Sequence, residues 1–424
     1  MSTVATPAKS TFALTEDWTV VVLGLLSIAL SLSGLIIPAP AFSWTNGNEL
    51  LSTVFTAKNG LQIVGQFIFT YAIALIGTAL IAGKSFRATL LGFPIIFGLT
   101  LLALILAGNK TLKNLNLEAV IFSLGIGLLV GNLFRLPDWL RAALNTEVFV
   151  KIGLILLGTS VIFGDILKAG SLGLIQALLV VVSVWYFAFW VSKRLKIDDE
   201  LTMMLSSAVS ICGVSAAIAT SGAIQGDSKK LSYVISLVLI TAIPMMLLMP
   251  YAAHALGLSP AVTGAWLGGT IDTSGAVVAA GTLAGDEALK ISTIVKFSQN
   301  VLLGVAAFAI SIYWSYTKNQ SEVAQTSKPT LGVIWERFPK FVLGFIAASL
   351  LFSFVVSPAA ISAVKDSLKS LQGLWFALAF TSIGLETRFS DLFKADNRRP
   401  MYAFLIAQAF NVLITLVIAC LLFD

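Results

Sequence analysis

The chain contains 424 residues, of which 57% are hydrophobic and only 11% are charged. Soluble domains carry roughly 25% charged residues, so this composition excludes an ordinary soluble protein and indicates an integral membrane protein. The formal net charge of +6 comes from basic residues spread over short loops rather than gathered in one cluster. Such a distribution is typical of the positive-inside rule and does not indicate a nucleic-acid partner.

Apolar runs of membrane-spanning length recur along the whole chain. A transmembrane helix needs about 20 predominantly apolar residues. The first run, 18–37, is too long for a signal peptide, whose apolar region has about 7–15 residues. We therefore expect eleven transmembrane helices, near 18–37, 62–82, 88–107, 118–134, 149–167, 171–192, 230–250, 291–316, 332–357, 371–387 and 401–422.

Two further segments, 200–226 and 257–285, are strings of small and hydroxyl residues inside this apolar chain. They share a repeat without gaps at an offset of 59 residues, in which Ser215 aligns with Ser274. Irregular backbone inside a bilayer is tolerated only where protein or a water-filled cavity satisfies its polar groups, and paired broken segments mark transporter binding sites. The repeat therefore predicts a transport site, although small residues also allow close helix packing alone.

The two segments either span the membrane or re-enter it as hairpins. The loop charges favour a cytoplasmic N-terminus in both cases, and the hairpin arrangement fits slightly better because it also places Lys229 and Lys230 inside. Under that arrangement the first hairpin enters from the cytoplasm and the second from outside, which makes the pair an inverted repeat. We expect a multi-pass protein of the cell inner membrane.

A second repeat supports the same symmetry. Gly158, Phe163, Asp165, Lys168 and Ala169 recur 226 residues later, in the same spacing, as Gly384, Phe389, Asp391, Lys394 and Ala395. The sequence thus predicts an all-α polytopic membrane protein with inverted repeats, divided into a core and a scaffold. We expect three parts: an N-terminal three-helix extension (1–112), a first half (113–253) with the broken segment 200–226, and a second half (254–424) with the broken segment 257–285 and a cytoplasmic linker at 317–339.

The broken segments supply candidate ligands for an anion. If Gly213 and Gly275 interrupt the helices, each following half-helix points N–H groups and the positive end of its dipole at the membrane centre. On the next helix, Lys296 adds a cation that either binds the anion or forms an ion pair with Asp272 or Glu386 that holds the core together. The predicted substrate-binding residues are Ser210, Gly213, Ser215, Thr270, Thr273, Ser274, Gly275, Lys296, Gln299 and Asn300.

Two carboxylates are candidates for ion coupling. Asp272 lies near the middle of the second hairpin, where ionisable residues are costly and therefore count as functional hypotheses. Glu386 lies at the end of a span, beside Arg388. Helix capping is the alternative for Asp272, and end-capping or snorkelling is the alternative for Glu386.

Four motifs together resemble the YeiH-like family of bacterial inner-membrane proteins, which is labelled as sulfate exporters. The resemblance runs from about Ile121 to the C-terminus. It implies a carrier distantly similar to bile-acid/sodium symporters and cation/proton antiporters, in which a core bearing the substrate moves against a scaffold. The motifs are Ser210-Ile-Cys-Gly-Val-Ser-Ala-Ala-Ile-Ala, Gly268-Gly-Thr-Ile-Asp-Thr-Ser-Gly-Ala-Val, Lys296-Phe-Ser-Gln-Asn and Thr381-Ser-Ile-Gly-Leu-Glu-Thr-Arg-Phe.

The function expected from the sequence is secondary active transport of a small anion such as sulfate or a sulfonate, coupled to a proton or sodium ion. A sodium-coupled organic anion symporter and a passive anion channel are the alternatives. Enzymatic activity is not expected, because one histidine and two cysteines provide no catalytic or metal-binding set. No cofactor is expected. The expected partners are the anion, the coupling ion and the lipid bilayer, with a homodimer suggested by analogy to similar carriers.

Overall fold

The structure of the protein, a computed structural model, describes residues 14–114, 119–318, 332–387 and 398–424. This part of the chain is almost entirely helical, and six of its helices are long and apolar enough to cross a membrane. The all-α polytopic architecture is therefore confirmed. In chain order the helices are α1 (Glu16–Leu32), α2 (Gly47–Glu49), α3 (Ala57–Leu80), α4 (Phe86–Ala107), α5 (Lys110–Asn114), α6 (Ala119–Leu133), α7 (Asp138–Arg141), α8 (Thr146–Gly158), α9 (Phe163–Arg194), α10 (Asp199–Ser207), α11 (Val214–Ile224), α12 (Ser228–Ala255), α13 (Pro260–Thr270), α14 (Ser274–Ala284), α15 (Asp286–Lys318), α16 (Gly332–Arg337), α17 (Phe341–Leu350), α18 (Pro358–Glu386) and α19 (Arg399–Phe423).

Two predicted spans, 332–357 and 149–167, are interrupted in the structure, the former between Arg337 at the end of α16 and Phe341 at the start of α17. The expected span 149–167 is interrupted, because α8 ends at Gly158 and the next helix begins at Phe163. The hydroxyls of Thr159 and Ser160 donate to the carbonyl oxygens of Leu156 and Leu157 at 2.7 and 2.9 Å. These bonds satisfy the last carbonyls of the helix, so the chain can turn there without leaving them unpaired.

A scaffold forms around α18, which packs against α6, α8, α4 and α1. Glycines allow the closest of these approaches. A Cβ atom on Gly127 would lie 2.3 Å from the carbonyl oxygen of Thr381, and one on Gly384 would lie 2.5 Å from that of Leu124. The first helix, α1, also packs on α8 and α17, so α1 belongs to the scaffold.

The helix ends define two faces of the molecule. Glu16 at the start of α1 contacts the Lys151 ammonium of α8 at 2.8 Å, and Asp17 accepts from the backbone N–H of Lys340, just before α17, at 2.9 Å. Three helices thus begin on one side, which we call the N-face. The opposite side is called the C-face.

The first broken segment consists of α10, a π-helical segment (Ala208–Cys212) that continues it, and α11, and it is a hairpin whose two ends meet. Lys230, just after the segment, contacts Asp198 at 2.7 Å and Glu200 at 3.2 Å, both at its beginning. A segment that crossed the membrane would hold these residues a bilayer thickness apart. The segment therefore enters and leaves by the same face.

The second broken segment, α13 with α14, is also a hairpin. Gly264 and Gly268 of α13 and Gly281 of α14 all pack on the first two turns of α15, around Leu289 and Ser292. The two hairpins are joined by α12, whose 28 residues span roughly 42 Å. They therefore enter from opposite faces, as an inverted repeat requires.

The hairpins lie in a core with α9, α15 and α19, and this core faces the scaffold through α8, α17 and α18. The first copy of the second sequence repeat covers the end of α8 and the start of α9. Most of the other copy, with Phe389, Asp391, Lys394 and Ala395, lies outside the described residues, as do Arg388 and residues 319–331 of the linker.

Candidate functional site

The two hairpins meet tip to tip at positions that are equivalent in the repeat. An offset of 59 residues pairs Gly213 with Asp272. A Cβ atom on Gly213 would lie 3.1 Å from the Cβ of Asp272 and 2.6 Å from Cγ1 of Val238 on α12. Gly213 has a φ of 61° and a ψ of −109°, which side-chain-bearing residues rarely adopt. The first hairpin can turn here only because this residue is glycine.

The second hairpin is interrupted at 271–273 rather than at Gly275. Thr273 has extended backbone angles and its Oγ1 accepts from the N–H of Ala276 at 3.2 Å, so it caps α14, which begins at Ser274. Threonine suits this cap because its side-chain oxygen satisfies an otherwise unpaired N–H group. Gly275 instead lies in the first turn of α14, where a Cβ atom would be 3.2 Å from Ile383 of the scaffold.

Amide side chains tie the two tips together. The Gln299 Nε2 group on α15 donates to the carbonyl oxygens of Ser210 at 2.9 Å and Gly269 at 3.2 Å. From the other side, the Asn411 Nδ2 group on α19 donates to the carbonyl oxygens of Val209 at 3.1 Å and Thr270 at 3.2 Å. These carbonyls close the first limb of each hairpin, where backbone acceptors need partners inside the membrane. The carbonyl oxygen of Thr270 also accepts from the Gln408 Nε2 group of α19 at 3.1 Å.

We expect Gln299→Leu to destabilise the protein by about 2–4 kcal/mol, because it leaves two buried carbonyl oxygens without a donor. The measurement is thermal unfolding of the purified protein in detergent. Gln62→Leu is the control, since Gln62 is a half-buried glutamine of α3 outside the crossing. Equal melting temperatures for the two variants would show that Gln299 does not hold the tips.

Lys296 is buried behind the first hairpin, with 1% of its surface exposed. Its ammonium donates to the carbonyl oxygen of Ile211 at 2.8 Å and to Oε1 of Gln299 at 2.9 Å. A cation at this position offsets the negative end of the first limb. Among the described residues, Lys296 has no carboxylate within ion-pair distance, so the predicted pairing with Asp272 or Glu386 is not observed.

Asp272 is 2% exposed, and within the described part of the chain its Oδ2 atom has no hydrogen-bond partner. The neighbouring Thr270 Oγ1 and the Asn300 Oδ1 are likewise buried and without a partner there. Buried acceptors of this kind are costly unless a proton, a water molecule or a cation satisfies them. The tip of the second hairpin therefore carries polar atoms that an additional hydrogen-bond donor or cation would satisfy.

A cavity of about 280 Å³ lies beside the crossing and reaches towards the N-face. The first residues of α11 and α14 form part of its wall, so the positive ends of two half-helices border the same space. The α11 end has no side-chain cap, because its N-cap is Gly213. The predicted site residues that line this cavity are Ser215, Thr273, Ser274 and Asn300.

The other predicted residues lie elsewhere. Ser210 is fully buried, and its hydroxyl donates to the carbonyl oxygen of Ser206 at 2.7 Å. A second cavity of about 250 Å³, also towards the N-face, is lined by Glu386 and Gly275. Glu386 is an exposed residue at the end of α18, and it shares this cavity with Glu16, Lys84 and Glu147. The structure thus places the two predicted coupling residues at different sites, Asp272 at the crossing and Glu386 near the N-face.

Lys151 was not predicted from the sequence. It lies on α8 in the wall of the larger cavity, where it contacts Glu16 at 2.8 Å and Asp17 at 3.0 Å. The signal that could have revealed it is a lone lysine inside an apolar run, Phe149-Val-Lys-Ile-Gly-Leu. Lys151 thus places a scaffold cation in the wall of this cavity, and the core forms the opposite wall.

Comparisons with known proteins are consistent with a membrane protein. The family described as conserved hypothetical protein 698 matches residues 91–403. A UPF0324 membrane protein of Rhodopirellula baltica is 41% identical over 392 residues, which cover 90% of this chain and 70% of that protein. One from Nitrosomonas europaea is 29% identical and covers 93% of both chains.

A UPF0324 membrane protein of Nitratidesulfovibrio vulgaris is 38% identical over 351 residues, 79% of this chain, and the match spans only 59% of that relative's length. No solved structure matches.

Proposed function

We propose that this chain, which belongs to the UPF0324 family of membrane proteins, is a secondary transporter of a small anion. This family is the YeiH-like family, so the resemblance of the motifs is confirmed. The chain is a multi-pass membrane protein. The inner membrane, a cytoplasmic N-face and coupling to a proton or sodium ion are parts of the proposal.

The observation that carries the proposal is the tip-to-tip crossing of two inverted hairpins beside a cavity. Broken helices that meet at the membrane centre, related by inverted symmetry, are the arrangement in which many secondary transporters hold their substrates. Movement of the core against the scaffold would open the crossing to one face at a time. In this proposal, the larger cavity towards the N-face belongs to the state in which the crossing is open to that face.

An anion suits the inner end of this cavity better than its mouth. At the inner end lie the N–H groups of two half-helices, the hydroxyls of Ser215 and Ser274 and the Asn300 amide. The mouth carries Asp17, Glu147 and Glu336, against which Lys151 is the opposing cation in the cavity wall. Binding at the tips would therefore depend on short-range hydrogen bonds rather than on long-range attraction from the N-face.

A sodium-coupled organic anion symporter is the second candidate. The observation in its favour is the apolar wall of the smaller cavity, which Ile235, Leu239, Ala242, Ile243 and Met246 supply along α12. An organic anion could place its carbon skeleton against this wall and its charged group at the half-helix ends.

The primary test is uptake of radiolabelled sulfate into proteoliposomes under an imposed pH gradient, an imposed sodium gradient or neither. Uptake that follows one of these gradients would support coupled anion transport. Uptake that needs no imposed gradient, and that saturates only at the high rates typical of channels, would favour a passive anion channel. Absence of sulfate uptake under every gradient would contradict sulfate as substrate, and the same assay would then be run with a sulfonate and a bile acid.

We expect the double variant Ser215→Ala/Ser274→Ala to raise the half-saturating anion concentration about tenfold or more, because it removes two hydroxyls from the cavity wall. The matched control is Ser232→Ala, which changes an exposed hydroxyl that donates within its own helix. The control should unfold at the wild-type temperature and the double variant somewhat below it, because the Ser274 hydroxyl accepts from the buried Asn300 amide at 3.3 Å. An unchanged half-saturating concentration in the double variant would move the binding site away from the hairpin tips.

A further inference from the structure

A third cavity, of about 300 Å³, lies towards the C-face, at the base of the second hairpin. Its wall comes from both parts of the molecule. The core contributes the start of α15, and the scaffold contributes the end of α8 and the exposed half of α18. The polar residues that line it are Thr159, Ser160, Asp286, Lys290, Lys365, Lys369 and Gln372.

This C-face cavity has the opposite charge to the cavities near the N-face. Three lysines and one aspartate line it, whereas the larger N-face cavity is lined by Asp17, Glu147 and Glu336 with a single lysine. A cleft lined by one sign of charge concentrates ions of the opposite sign and accelerates their association. The two faces would therefore receive anions very differently.

The contacts in the C-face cavity leave its lysines available to an anion. Lys369 on α18 contacts Asp286 on α15 at 3.0 Å, and both side chains are largely exposed. Exposed ion pairs of this kind contribute little to stability, so an anion that enters the cavity can compete for the ammonium group. At the end of α8, Thr159 and Ser160 already cover the helix carbonyls, which removes a source of negative charge from the wall.

We infer that this cavity is an anion-binding vestibule through which a small, doubly charged oxyanion enters or leaves the transporter on the C-face. The inference rests on the proposed function and adds to it a second site, distinct from the hairpin tips. Lys290, Lys365 and Lys369 bind the oxyanion through charge-assisted hydrogen bonds, and Gln372 supplies an amide donor. Because Asp286 belongs to the core and Lys369 to the scaffold, an anion that displaces Asp286 also releases a contact between the two parts.

The first test measures binding without transport. The purified protein is acetylated with a water-soluble amine-reactive reagent in sodium sulfate or in sodium chloride of equal ionic strength, and the modified lysines are quantified by mass spectrometry. We expect sulfate to protect Lys365 and Lys369 and to leave Lys58, an exposed lysine at the start of α3, unchanged. Equal modification in both salts, or equal protection of Lys58, would overturn the inference.

The second test uses the sidedness of transport in vesicles of defined orientation. For Lys365→Gln/Lys369→Gln we expect the half-saturating sulfate concentration on the C-face to rise about tenfold, with that on the N-face unchanged. Lys58→Gln is the control and should change neither. If the wild-type protein transports sulfate and the double variant has unchanged kinetics on both faces, the vestibule is wrong and the transporter stands. If sulfate protects the lysines but the wild-type protein transports neither sulfate nor a sulfonate nor a bile acid, the anion site stands and the proposed transport function is wrong.

Discussion

Gly213→Ala is expected to abolish transport and to destabilise the protein by about 2–6 kcal/mol. Two effects add. The alanine must adopt the backbone angles of Gly213, which are strained for any residue with a Cβ atom, and that Cβ would lie 2.6 Å from Val238 and 3.1 Å from Asp272. The overlap with Val238 pushes the first tip away from α12, and the close approach to Asp272 disturbs the contact between the two tips. The measurement combines thermal unfolding in detergent with anion flux in proteoliposomes.

Two glycines separate these effects. Gly257 also has a positive φ, 66°, but a Cβ atom there would meet no atom within 4 Å, so Gly257→Ala reports backbone strain alone. Gly373 is inside α18 and also has open space around it, so Gly373→Ala reports neither effect. We expect the loss of stability to decrease from Gly213→Ala to Gly257→Ala to Gly373→Ala. A Gly213→Ala protein that transports normally would show that the tips are not packed as described.

The hairpins could be predicted because their signal is local. Small and hydroxyl residues within an apolar chain identify broken segments, and Lys229 and Lys230 favoured the re-entrant arrangement that the Lys230 ion pairs now support. The repeat alignment also pairs Gly213 with Asp272, and the structure places these two residues in contact. Local pattern and symmetry were therefore sufficient for the architecture of the core.

The partners of the hairpins could not be predicted, because they come from distant helices. Asn411 on α19 lies about 200 residues from Val209 and about 140 residues from Thr270 in the sequence. Its side chain nevertheless donates to the carbonyl oxygens of both residues. An asparagine or glutamine in an apolar helix has no local feature that identifies its partner. The break of the second hairpin was misplaced for a related reason, since glycine was taken as the interruption where a threonine cap provides it.

The boundary between core and scaffold depends on side-chain packing that the sequence does not encode locally. Gly275 faces Ile383 and Val150, at 3.2 and 3.4 Å from its hypothetical Cβ. These contacts belong to α14 on one side and to α18 and α8 on the other. Gly275 as a binding residue stays a prediction, and in the structure this residue packs against the scaffold.

Asp272→Asn is expected to yield a folded protein that has lost coupled transport. The side chain is buried at the hairpin crossing, and in the described part of the chain its Oδ2 atom has no partner. An ionised carboxylate with an unsatisfied buried oxygen is unfavourable at membrane depth, so in the proposed transport cycle a proton or a cation accompanies Asp272 when the core moves. Asparagine keeps the volume and one oxygen acceptor but carries neither the charge nor the exchangeable acid proton. Flux driven by the coupling gradient should therefore fall to the level seen without a gradient.

The matched control is Asp227→Asn at the base of the first hairpin, where the side chain caps α12 and asparagine serves equally well. It should retain both stability and coupling.

Comparison of the two gradients then identifies the coupling ion. If wild-type flux follows the pH gradient and Asp272→Asn flux does not, Asp272 carries the proton. If Asp272→Asn flux instead loses its dependence on the sodium gradient, sodium is the coupling ion. A sodium ion needs several oxygen ligands, whereas a proton needs one acceptor. The ligands to examine are then the unpaired oxygen atoms of Asp272, Thr270 and Asn300. If Asp272→Asn flux depends on both gradients as the wild-type flux does, this carboxylate has only a structural role at the crossing. Coupling would then lie elsewhere, and Glu386 would be the next residue to replace.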